Sequence, residues 1–221
     1  METPKLTTAK VKICGFTRIE DAEEALALGV DALGLNFWPG TPRVIKAELG
    51  REIAALARGR ALIIGVFVDA SREEILRVHD AVGLDEVKLH GSEPPELLRS
   101  LGLPAYKALG VADDESEAAL LQRIARYPGE KLLLDTKVRG AMPGGTGARF
   151  DWALAEPVAK TRALILAGGL HPGNVREAIE RVSPSWVDTA SGVEAGTAGV
   201  KDAELMRAFI AAARGISSPV E

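Results

Sequence analysis

Short apolar runs recur along the chain, each followed by a stretch in which apolar positions return every three or four residues. The runs are "KVKICG", "DALGLNF", "ALIIGVFVD", "EVKLHG", "AYKALG", "KLLLDT", "ALILAGG" and "SWVDTASG". They are apolar almost throughout rather than alternating, as expected for parallel strands covered by helices. Segments between them, such as "RIEDAEEALALG", "AELGREIAALARG", "SREEILRVHDAVG", "ESEAALLQRIARY" and "GNVREAIERV", read as amphipathic helices, several of them stopping at glycine. A run begins about every 20 to 30 residues, the length of one strand-plus-helix unit. Eight such units in 221 residues predict a single (β/α)8 TIM barrel of the α/β class. The rival, an open doubly wound sheet, uses five or six strands and leaves two unplaced. The pattern places the barrel over residues 11–213, after an N-terminal extension (1–10) and before a frayed tail (214–221).

Composition narrows the class. With 47% apolar and 26% charged residues the chain has the balance of an ordinary soluble protein with one core. A net charge of −4 gives no basic face for nucleic acid. The single cysteine, Cys14, forms no internal disulfide, which removes an extracellular stapled fold. No apolar run of about 18 residues offers a membrane span, and the start lacks a signal-peptide pattern. A cytoplasmic protein is expected.

In a barrel of this kind chemistry collects at the C-terminal ends of the strands. Those ends carry Cys14-Gly15, Asp69, His90-Gly91, Asp135, Gly168-Gly169, and Asp188 with Ser191-Gly192, while Arg43 in "WPGTPR" follows the second strand. Gly168-Gly169 and Ser191-Gly192 follow strands 7 and 8, where barrels commonly hold phosphate on backbone N–H groups. Tight turns are the other reading of either pair. "MPGGTG", with Gly144 and Gly145, is either a plain connection or a flap over the mouth. Asp135 follows four wall residues, so burial predicts a pKa above the reference of about 3.9, as a proton donor near neutrality needs. It could instead cap the next turn. Cys14 is either a small buried hydrophobe or a base that must be partly thiolate. Arg43 either pairs at the surface or captures a carboxylate with its two-pronged head. His90 reads first as a satisfied buried imidazole. His79 reads as lying on a helix face and His171 at a helix start before Pro172, the three tryptophans read as packing residues, and the dispersed histidines form no metal-ligand set.

Taken together and in order, "KICGFTR", "GTPR", "GVFVD", "VKLHG", "LLLDT…GGTGARFDW", "LAGGLHPGNV" and "VDTASGVE…GVKD" resemble the phosphoribosylanthranilate isomerases, (β/α)8 enzymes of tryptophan biosynthesis. The resemblance spans about residues 11–209. It implies Cys14 as general base, Asp135 as general acid and Arg43 as anchor for the anthranilate carboxylate. It further implies phosphate on Gly168, Gly169, Ser191 and Gly192, with Asp188 and His90 as candidate substrate contacts. Thr41, Ala190 and Phe16 stand where the family form carries serine, serine and a smaller aliphatic. The implied reaction is an Amadori rearrangement of a phosphorylated small molecule. Only protons move, so no cofactor is required. A monomer or homodimer is expected. The histidine-pathway sugar isomerase is the nearest rival and would carry aspartate where this chain has Cys14. A non-catalytic phosphate-binding barrel is the rival of another class.

Overall fold

The computed structural model describes residues 8–112, 114–136 and 150–216. Eight parallel strands close into one barrel in chain order. They are β1 (Lys10–Cys14), β2 (Ala32–Asn36), β3 (Leu62–Phe67), β4 (Glu86–Leu89), β5 (Ala105–Val111), β6 (Lys131–Thr136), β7 (Ala163–Leu166) and β8 (Trp186–Thr189). Between and after them run α1 (Ile19–Ala27), α2 (Ala47–Ala57), α3 (Arg72–Val82), α4 (Pro95–Leu101), α5 (Glu117–Ala125), α6 (Glu156–Ala159), α7 (Val175–Val182) and α8 (Ala203–Arg214). Every apolar run expected to be a strand is one. The helices α4 and α6, at seven and four residues, are too short to write a 3.6-residue period into the sequence. The strand β1 already begins at Lys10, and α8 runs to Arg214. Among the described residues no helix is long and apolar enough to cross a membrane.

Period-two alternation sorts each strand into an outer and an inner face. Outward Val11, Ile13, Leu33, Leu35, Leu132, Leu134 and Val187 join the helices in the larger apolar cluster. Inward Ala32, Ile64, Tyr106, Ala108, Leu133, Ile165 and Trp186 form a second cluster that fills the barrel. At the N-terminal end the filling closes with an ion pair: Lys131 Nζ donates to both Glu86 oxygens at 2.8 and 2.7 Å, with the Tyr106 and Trp186 rings beside it. The opposite end is where polar and charged inward positions gather, among them Lys12, Cys14, Lys88, Asp135 and Asp188, beside Asn36, Val66 and Ala167.

Helix ends show local chemistry doing its part. Ser71 Oγ accepts from Glu74 N at 3.2 Å to start α3, and Gly83 ends it at φ +78°, a conformation in which a side chain would be strained.

The inner cluster is buried, so removing volume from it should be costly. Leu133→Ala, at a fully buried position, is expected to lower unfolding free energy by about 2–5 kcal/mol in urea titration. A loss well under 1 kcal/mol would show that the barrel interior collapses around the gap.

Candidate active site

Lys12 and Cys14 are two residues apart on β1 and so share its inward face. Opposite them on β2 stands Gly34, where a Cβ would lie 2.6 Å from Cys14 Sγ and 2.8 Å from Lys12 Nζ. The missing side chain is what lets the thiol and the ammonium sit side by side. The glycine after the cysteine has its own cause. Gly15 is at φ +81°, and a Cβ on it would meet Arg43 Cδ at 2.5 Å. The aliphatic stem of Arg43 therefore lies directly on the Gly15 backbone.

The ammonium of Lys12 is held by Asp188, which accepts from it at 2.9 and 3.0 Å and from Lys88 Nζ at 3.2 Å. All three side chains are buried. Burial works to lower the Lys12 pKa, but the Asp188 charge and the neighbouring Cys14 outweigh it and hold it above its ordinary value. For Asp188 burial pushes upward, and the two ammonium groups more than reverse this, keeping it below 3.8. Both partners are therefore charged at neutral pH.

Asp135, at the end of β6, is buried beside His90, with Nε2 3.4 Å from Oδ2. Thr136 N donates to its Oδ1 at 2.8 Å. The sequence expectation of a raised pKa is corrected here. Burial does push upward, but His90, the Lys88 ammonium and the Thr136 N–H together bring the carboxyl below its ordinary 3.8. His90 is shifted down, first by burial and then by Lys88, so the pair at neutral pH is a carboxylate and a neutral imidazole.

Arg43 forms a two-pronged pair with Glu194, Nε to Oε1 and Nη2 to Oε2, both at 2.7 Å. Glu194 Oε1 also accepts from Gly199 N at 2.9 Å and from Lys201 Nζ at 3.0 Å. Lys201 Nζ donates further to the carbonyls of Cys14 at 2.7 Å and Ala190 at 3.1 Å.

Beyond β7, Gly168 and Gly169 adopt φ of +90° and +63°. A Cβ on Gly168 would meet Thr136 Oγ1 at 2.3 Å. Asn174 braces this loop, its Nδ2 donating to Gly169 O and its Oδ1 accepting from His171 N, each at 2.9 Å. Thr189 Oγ1 donates to Leu170 O at 2.7 Å and ties the loop to β8.

One cavity at the C-terminal mouth is lined by Cys14, Arg43, His90, Asp135, Gly168, Gly169, Asp188 and Ser191, all candidates from the sequence. Gly192 is not in the lining. It begins its role one step back, where a Cβ would fall 2.0 Å from Leu170 O, and Ala190 lines the cavity beside Ser191. Asp69 also stays out of the lining. It sits at φ +52° and accepts from Ser92 N. Gly144 and Gly145 lie outside the described residues. Trp152 and Trp186 are core residues as expected, whereas Trp38 faces the mouth, its ring folded over Gly40.

The profile of the family described as N-(5'phosphoribosyl)anthranilate (PRA) isomerase matches residues 11–212. The chain belongs to that family. A protein of Rubrobacter xylanophilus named N-(5'-phosphoribosyl)anthranilate isomerase is 44% identical over 209 residues, covering 93% of this chain and 99% of its own. The phosphoribosyl anthranilate isomerase of Thermotoga maritima superposes with a TM-score of 0.84 at 39% identity, over 94% of this chain and all of that one. A crystal structure of such an isomerase in complex with reduced 1-(o-carboxyphenylamino)-1-deoxyribulose 5-phosphate gives 0.81 at 38% identity, with the same coverage. The family's barrel is thus the fold of this chain.

Within this isomerase barrel, sequence reasoning missed Lys12, Lys88, Glu194, Lys201 and Asn174. Lys12 and Lys88 do leave a signal, a lysine in the middle of an otherwise apolar parallel strand, where nothing but a buried counter-charge can hold it.

Asp188→Asn takes away the carboxylate to which the buried Lys12 and Lys88 ammonium groups both donate. It is expected to cost about 3–5 kcal/mol of stability at neutral pH, measured in urea. Because the folded pKa of Asp188 is depressed, its contribution is complete above the ordinary 3.8 and fades as pH falls toward the lower folded value. The gap between wild type and variant should therefore hold steady from pH 7 to about 5 and narrow below about 4. A gap that stays constant to pH 2 would remove Asp188 as the counter-ion.

Proposed function

We propose that this chain carries out the reaction its family is named for, in tryptophan biosynthesis, with Cys14 as general base and Asp135 as general acid. N-(5′-phosphoribosyl)anthranilate would become 1-(2-carboxyphenylamino)-1-deoxyribulose 5-phosphate. The observation that supports this most is that a thiol on β1 and a carboxyl on β6 reach one cavity from separate strands, with Arg43 and the two small-residue loops on the same rim. Mere phosphate binding needs neither the thiol nor the carboxyl.

Asp135 protonates the ribose ring oxygen, the C1–O bond breaks, and the anthranilate nitrogen's lone pair forms an iminium ion. That cation acidifies the C2 proton, which the Cys14 thiolate removes to leave an enolamine. Tautomerisation gives the ketone. The free protein holds Asp135 ionised, so the acid form arises in the complex. A phosphate and a carboxylate bring negative charge into the mouth and displace water, and both changes favour a protonated carboxyl. Arg43 takes the carboxylate, and the backbone at Gly168, Gly169, Ser191 and Gly192 takes the phosphate, with His90 and Asp188 as substrate contacts in the cavity lining. The histidine-pathway alternative is disfavoured by Cys14 standing where a second aspartate would be required. We place the enzyme in the cytoplasm as a monomer or homodimer, which light scattering would decide.

Turnover of freshly generated phosphoribosylanthranilate tests the reading. Asp135→Asn and Cys14→Ser should each lower kcat by about 10²–10⁴ while leaving the unfolding midpoint near wild type. A loss below tenfold in either would take that residue out of the chemistry.

The phosphate assignment has a separate test. Gly169→Val places a β-branched side chain at a positive φ on the rim, and should weaken inorganic phosphate and the phosphorylated substrate while sparing anthranilate. Equal weakening of all three would mean the loop shapes the mouth rather than holding the anion.

A further inference from the structure

A guanidinium has two bidentate edges, one formed by Nε and Nη2 and one by Nη1 and Nη2. In Arg43 the first is filled by Glu194, while Nη1 has no partner among the described residues. We propose that Glu194 is a positioning residue for Arg43, occupying its side edge so that the end edge meets the substrate carboxylate. This rests on Arg43 being the carboxylate anchor.

Three observations carry it. First, Arg43 is fixed at both ends: its stem lies on Gly15, where a Cβ would come within 2.5 Å of Cδ, and its head is gripped by Glu194. An arginine carries a large rotamer entropy, and freezing it beforehand removes that cost from ligand binding. Second, Glu194 is itself held, by Gly199 N and by Lys201 Nζ, with only 6% of its side chain exposed. A carboxylate so satisfied does not leave Arg43 to make room for a competitor. Third, the charges fit. The three hydrogen bonds of Lys201 Nζ all go to acceptors, which an ammonium fills with its three donors. Arg43, Glu194 and Lys201 together then carry one net positive charge, the complement of one carboxylate.

The readouts are steady-state kinetics with phosphoribosylanthranilate and competitive inhibition by inorganic phosphate. The proteins are wild type, Arg43→Ala, Glu194→Gln and the double variant, each checked for folding by its urea midpoint. Arg43→Ala should raise KM. Glu194→Gln should raise KM roughly tenfold, the scale of one charge-assisted hydrogen bond, with kcat little changed and phosphate inhibition unaltered. Glu194→Gln should add nothing once Arg43 is alanine, because it acts through that side chain. Should Glu194→Gln fail to fold, Glu194→Asp keeps the charge on a shorter arm and carries the same expectations. A KM at or below wild type in the Glu194 variant would show a competitor rather than a support. Additive effects in the double variant, or weakened phosphate inhibition, would make Glu194 a general structural residue. An unchanged KM in Arg43→Ala would instead overturn the anchor reading itself.

Discussion

Closing the sheet brings β1 against β8 with Lys12 level with Asp188, and that register makes the ion pair between them unavoidable. A lone ammonium in an apolar interior is prohibitively costly, so Lys12 is tolerable inside the barrel only where this carboxylate meets it. Asp188 also takes the Lys88 ammonium, which ties β4 to β1 and β8 from within. The triad divides the barrel in height. Below it Ala32, Ile64, Leu133 and Ile165 pack as an apolar plug, and above it Cys14, His90 and Asp135 line the mouth. The charge that would destabilise a core thus marks the floor on which the site stands.

The barrel was legible because each strand is buried on both faces and announces itself as an apolar run, whatever helix follows. The strand ends were legible for a related reason, since Cys14, Asp135 and Asp188 interrupt those runs at their C-terminal limits. What could not be read was anything supplied across the barrel. Glu194 reaches Arg43 over 151 residues of sequence, and Lys201 reaches Cys14 over 187. The titration of Asp135 was misjudged for the same reason. Burial can be read from "KLLLD", but Lys88 on β4 and His90 just after it come from two strands away in the barrel order, and together with the Thr136 N–H they outweigh burial.

Glycine positions carry two kinds of information that sequence alone does not separate. Gly15, Gly168 and Gly169 combine a left-handed backbone with close neighbours or a place on the rim. Gly34 has no such backbone need and is small only because the Cys14 thiol and Lys12 ammonium occupy the space its side chain would take. Gly192 belongs with Gly34: the Leu170 carbonyl excludes a side chain there, and the neighbouring Ser191 takes the place on the cavity wall.

The Lys201 ammonium grips the Cys14 carbonyl, the Ala190 carbonyl and Glu194 at once, and through Glu194 it grips Arg43. The thiol and the guanidinium are therefore bolted to a common mount that joins β1 to the loop after β8. The span between them is a property of the scaffold rather than of two mobile side chains. A molecule that touches both is measured against a fixed gauge.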